Sequence, residues 1–79
     1  MKAHQQAFDL LSRGDWQAAH DLVQELEDPL AYLLHALVHR HEKDIGNARY
    51  WYRRAGETMP QNTLAEELDR LRRRHEDSA

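Results

Sequence analysis

The sequence contains no cysteine. That excludes disulfide cross-links and every metal site built on thiolates. Glycine and proline are scarce, three and two in 79 residues, so only a few places oblige a helix to stop. No apolar run approaches the ~18 residues that a membrane-crossing helix needs. The opening segment Met1-Lys2-Ala3-His4-Gln5-Gln6 lacks the apolar core of a signal peptide. The expectation is therefore a cytoplasmic protein that does not insert into a membrane. A strong positive excess is also missing. Residues 1–44 carry four bases against eight acids, and residues 45–79 carry seven arginines against six acids. Nucleic-acid binders normally show a marked basic surplus, so no nucleic-acid partner is expected.

What is present suits one small globular domain. The chain is 41% hydrophobic and 32% charged, enough apolar material for a core. A domain of this length buries only ~60% of its unfolded surface, so every buried contact counts. Breaks fall at Gly14-Asp15, at Asp28-Pro29, at Lys43 to Asn47 and from Gly56 to Asn62. Asp28 suits a helix N-cap and Pro29 the first helical position. Thr63-Leu64-Ala65-Glu66 reads as a capping box. These signals predict five helices at about 2–13, 15–27, 29–42, 46–57 and 63–76, with no strand.

The apolar spacing agrees. Helix 1 aligns Ala3, Ala7, Leu10 and Leu11, helix 2 aligns Trp16, Ala19, Leu22, Val23 and Leu26, helix 4 aligns Ala48, Trp51, Tyr52 and Ala55, and helix 5 aligns Leu64, Leu68 and Leu71. Helix 3 is apolar on two sides. Leu30, Leu33, Leu34 and Leu37 lie on one, and Tyr32, Ala36 and His39 on the other. A helix of that kind is sandwiched, so helix 3 is expected at the centre.

An internal repeat is visible. Asp15 and Asp44 each precede an alanine by four residues, and these alanines, Ala19 and Ala48, are 29 residues apart. A small residue there lets the second helix of a hairpin press against the first. The segment from Tyr32 to Pro60 resembles a tetratricopeptide repeat. Tyr32 and Ala36 stand at the first aromatic and small positions, Ala48, Tyr52 and Ala55 at the positions of the second helix, and Pro60 at the closing proline. His35 and His39 depart from the leucine and tyrosine of that pattern. The run Ala48 to Gly56 is also similar to the second helix of SEL-like repeats. The resemblance implies an all-α domain of two antiparallel hairpins, about 2–27 and 29–57. It also implies a capping helix at about 63–76 and a concave face that binds peptides.

Chemistry-bearing groups give less. His35 and His39 are four apart on one helix face, a spacing that can chelate zinc. A metalloprotease would need glutamate after the first histidine, where Ala36 stands. A third ligand from His41, Glu42 or Asp44 does not share that face. Packing against helix 4 is the expected role, and no metal, cofactor or catalytic residue is expected. The alternative is a small metal-binding protein or enzyme that uses His35 and His39. The two serines, Ser12 and Ser78, fall at a helix end and in the tail, and neither has a base partner. Glu66 and Glu67 read as exposed. Arg70, Arg72, Arg73 and Arg74 read as a solvated face, with Glu66–Arg70 and Asp69–Arg73 as four-apart ion pairs. Tyr50 lies off the apolar stripe beside Arg49, Arg53 and Arg54, the composition of an interface anchor. The expected function is a non-enzymatic interaction module. Its candidate contact residues are Arg49, Tyr50, Arg53 and Arg54, together with a groove beside helix 3. Its expected partner is an acidic or amphipathic helical peptide, or a second copy in a homodimer.

Overall fold

Asp15, Asp28 and Asp44 fix the starts of three helices, each accepting a hydrogen bond from the backbone N–H three residues on, of Ala18, Ala31 and Asn47. In the computed structural model, which describes residues 2–77, the helices are α1 (Lys2–Ser12), α2 (Trp16–Val23), α3 (Pro29–His41), α4 (Ile45–Arg54) and α5 (Leu64–Asp77). No strand occurs among the described residues; Ser78 lies outside them. The predicted capping box opens α5. Thr63 N–H donates to Glu66 Oε1 at 2.8 Å and Glu66 N–H donates to Thr63 Oγ1 at 3.1 Å.

The two hairpins turn by one device. At the end of α1, Gly14 N–H bonds to Leu11 C=O and Asp15 N–H to Leu10 C=O. At the end of α3, Lys43 N–H bonds to Arg40 C=O and Asp44 N–H to His39 C=O. Both are Schellman endings. The pivot residue takes φ 76° at Gly14 and φ 65° at Lys43, so the 29-residue repeat is present in the backbone as well as in the side chains.

Two helices stop earlier than expected. α2 was expected to reach residue 27 and ends at Val23, with two i→i−3 bonds at Glu25 and Leu26. Glu25, Glu27 and Asp28 put negative charge where a helix C-terminus disfavours it. Asp28 must also be extended (φ −150°) to cap α3. α4 was expected to reach residue 57 and ends at Arg54 with a third Schellman turn, Glu57 N–H to Tyr52 C=O.

α3 is central, as its two apolar sides require. It packs against α1, α2, α4 and α5, and Ala31 together with residues 33–38 is buried. The core joins Ala7, Phe8 and Leu11 of α1, Ala19 and Val23 of α2, Leu33, Leu34 and Leu37 of α3, Tyr52 of α4 and Leu71 of α5. α5 lies against both α3 and α1. The molecule measures 28 × 24 × 23 Å, nearly equal in all directions. Neighbouring helices cover most of α3, and a groove remains beside its C-terminal end, bordered by Trp16, His20, His39 and Glu42.

Ala48 is fully buried on α4, and α4 packs chiefly against α3. A larger side chain there must push the pair apart. Ala48→Leu should lose ~1–3 kcal/mol of stability, the usual cost of overpacking, whereas Ala65→Leu, at an exposed position of α5, should be near neutral. Urea unfolding of both variants checks this, and equal midpoints would refute the α3–α4 packing.

Candidate functional site

Two surfaces come from the residues singled out above. The first is the outer side of α4. Ala48 and Tyr52 point inward and Trp51 is half-buried, which leaves Arg49, Tyr50, Arg53 and Arg54 outside. Tyr50 is 45% exposed, more than any other large hydrophobic side chain among the described residues. Its ring stands edge-on to Trp51, with centroids 5.2 Å apart. A cation–π stack forms on this face, made by Arg54 with Tyr32 and Trp51. The Arg54 guanidinium lies 4.6 Å from the Tyr32 centroid and 5.2 Å from that of Trp51, and it donates to the Tyr32 hydroxyl at 3.3 Å. Arg49 and Arg53 make no ion pair or side-chain hydrogen bond among the described residues. They border a shallow depression with Glu57, Met59 and Gln61.

The second surface is a histidine cluster. His35 and His39 stack on each other with centroids 4.9 Å apart, and His35 also stacks on Trp51 at 3.9 Å. The third member is His20 of α2, edge-on to both at 4.7 and 5.4 Å. One ring nitrogen from each of the three lies within 4.8 Å of the others. Spacing along α3 points to a third ligand next to His39, whereas the third imidazole comes from α2. Of the candidates near His39, His41 lies flat on Trp16 at 4.0 Å, and Asp44 caps α4. Glu42 Oε1 is 3.4 Å from His39 Nδ1. A local signal for His20 existed. It falls four residues after Trp16 and three before Val23, at the edge of the stripe that faces α3.

His35 is 5% exposed. Burial, with smaller contributions from His20 and His39, holds its pKa at about 4, so the ring is neutral at pH 7. Apart from this cluster and His41, the histidines have structural partners. His4 Nε2 meets both Asp28 carboxylate oxygens at 2.9 Å, tying α1 to the cap of α3. His75 stacks on Phe8 at 5.4 Å.

A buried polar network joins α3, α4 and α5. Glu67, expected on the surface, is 0% exposed. Its carboxylate accepts from Tyr52 Oη–H at 2.6 Å, Arg70 Nε–H at 2.6 Å, Arg70 Nη2–H at 2.8 Å and Asn62 Nδ2–H at 3.0 Å. Arg40 donates to the Tyr52 hydroxyl, to Asn62 Oδ1 and to the Asn62 carbonyl. Arg70 therefore pairs with Glu67 instead of Glu66. The arginine run of α5 is occupied throughout. Arg72 donates to Ser12 Oγ and the Phe8 carbonyl, Arg73 pairs with Asp69 at 2.8 Å and Arg74 with Glu57 at 2.7 Å.

Among the described residues these features define a five-helix all-α domain with an exposed aromatic–cationic face and a cluster of three imidazoles. No protein-family model, curated protein or solved structure matches the chain.

Burial alone would raise the Glu67 pKa, but its bonds from Arg70, Tyr52 and Asn62 outweigh that and hold it at about 2, below its ordinary 4.5. A depressed carboxyl stabilises the fold above its unfolded pKa, and that contribution disappears as pH falls from about 4.5 to about 2. It amounts to about 3 kcal/mol. Glu67→Gln cannot titrate there. The stability gap between native protein and variant should therefore shrink across that window in urea titrations at stepped pH. A gap that stays constant would show that Glu67 is not held in this network.

Proposed function

We propose that this domain is a protein-interaction module that binds an acidic, amphipathic helical segment on the outer face of α4. The observation that carries the reading is an exposed tyrosine beside two arginines without partners, on a surface stiffened by stacked rings. Tyr50 is 45% exposed. Arg49 and Arg53 flank it, and Arg54 is held over Tyr32 and Trp51. Tyrosine and arginine are the residues that most often anchor interfaces. An aromatic ring held by its neighbours loses little side-chain entropy on contact. Local positive charge selects an acidic complement and speeds encounter, and an amphipathic helix supplies apolar side chains for the Tyr50 ring. The likeness to tetratricopeptide repeats points to peptide binding as well. The contact face lies on α4 because the side where α1, α3 and α5 meet is filled. A cytoplasmic setting belongs to this reading, which the lack of cysteine fits.

The test is a selection from a displayed peptide library on the purified, tag-free chain, with the Tyr50→Ala/Arg53→Ala variant as counter-target. Both side chains are off the core, so circular dichroism should be unchanged in the variant. Selected peptides should be acidic and helical, and should bind the variant at least about tenfold more weakly. Peptides that bind both proteins equally would overturn the site. Self-association through this face, abolished in the variant, would make it a homodimer interface instead and overturn the peptide reading.

A further inference from the structure

We infer that His20, His35 and His39 form a binding site for a divalent transition-metal ion of the zinc class, a site that pins α2 to α3. The three ring nitrogens converge, all within 4.8 Å of one another. Around a tetrahedral zinc with bonds of about 2.0–2.1 Å, nitrogens stand roughly 3.3 Å apart. Closing from that spacing asks each ring to move inward by no more than roughly 1 Å. Two of the ligands lie one turn apart on α3 and the third is on the helix packed beside it. Secondary-structure elements therefore hold the set, which is how a metal site is preorganised.

The cluster stands out against how this fold treats its other buried polar groups. Arg40, Tyr52 and Glu67 are each satisfied by hydrogen bonds, and His4 is bonded to Asp28. Among the described residues, His20, His35 and His39 make no side-chain hydrogen bond at all, and buried His39 Nδ1 has no hydrogen-bond partner. Buried polar atoms are normally paired. Stacking on Trp51 accounts for His35, but it does not explain why two further imidazoles turn their nitrogens toward it. An ion held by one nitrogen of each ring gives the cluster a polar partner and leaves the unbonded His39 Nδ1 to the Glu42 carboxylate.

Glu42 Oε1 lies 3.4 Å from His39 Nδ1. A carboxylate on that side is the usual orienting group of a metal-bound histidine, and it leaves Nε2 as the ligand atom. The ion has a route from solvent, a groove bordered by Trp16, Gln17, His20, His39, His41 and Glu42. That groove also provides the fourth coordination position, open to water. Three imidazoles suit Zn2+, Cu2+, Ni2+ and Co2+; Ca2+ and Mg2+ require oxygen ligands.

The experiment uses the full chain, free of any affinity tag and stripped with chelator. Calorimetry should show one Zn2+ per chain and no heat with Mg2+, and Zn2+ should raise the melting temperature. Co2+ should develop the visible absorption of a tetrahedral site, and Cu2+ should quench the Trp51 fluorescence through His35. His20 is only half-buried, so His20→Gln should keep the fold. It should weaken Zn2+ binding at least about tenfold and abolish the thermal shift, while His41→Gln and His75→Gln retain both. A native chain that binds no Zn2+ overturns the inference. So does a His20→Gln variant that binds as tightly as the native chain, since the ion would then sit elsewhere.

Discussion

α3 has no free face, and the rest of the molecule is arranged around that constraint. Residues 33–38 are buried without interruption, so each polar group on this helix must be served from a neighbouring element. Arg40 reaches the loop before α5 and the hydroxyl of Tyr52. The N-terminus of α3 is capped by Asp28, whose carboxylate is itself held by His4 of α1. His35 and His39 are the exception. They meet rings, and their nitrogens meet one another and His20. In a core this small, unsatisfied imidazoles cost stability, and apolar residues at the same positions would avoid the cost.

The attachment of α5 shows how much one buried charge can organise. Its apolar stripe is thin, with Leu71 fully buried and Leu64 and Leu68 partly so. Glu67 adds the anchor. A carboxylate removed from water is tolerable only with a full set of donors, and here the donors come from α4, from the connecting loop and from α5 itself. The helix is thereby locked in rotation as well as position. That lock directs Arg72 back onto α1 and Arg74 onto Glu57, so neither competes with Arg49 and Arg53 of α4.

Much of this was legible in the chain because the signals are local. Asp28-Pro29 and Thr63 to Glu66 mark helix starts whose bonds form within three residues. The two apolar sides of α3 stated its central place. Tyr50, one position off the stripe, had to be outside. The features missed are those that only tertiary neighbours decide. Glu66 and Glu67 are adjacent and identical, yet one caps a helix in solvent and the other is fully buried. Nothing short of the position of Tyr52 separates them. His20 carries a local mark, its place at the edge of the α2 stripe, but spacing along α3 cannot report which residue of α2 stands opposite. The early end of α2 belongs to a third kind, where helix propensity continues and the demands of the next cap stop it, while α4 ends at the positive φ of Gly56.

Trp51 connects the two surfaces. One side of its ring is stacked on His35. It is also in contact with the edge of Tyr50, with Tyr32 and with the guanidinium of Arg54. The ring is therefore a shared wall between the histidine cluster and the arginine face. Whatever fixes His35 restricts the torsions of Trp51, and Trp51 in turn sets the bed on which Arg54 and Tyr50 rest. Preorganised anchors bind more tightly because less side-chain freedom is lost on contact. An ion between the imidazoles and a partner on α4 would thus act on one another through a single aromatic side chain. The coupling needs no helix to move, only a narrower range of torsions at one ring.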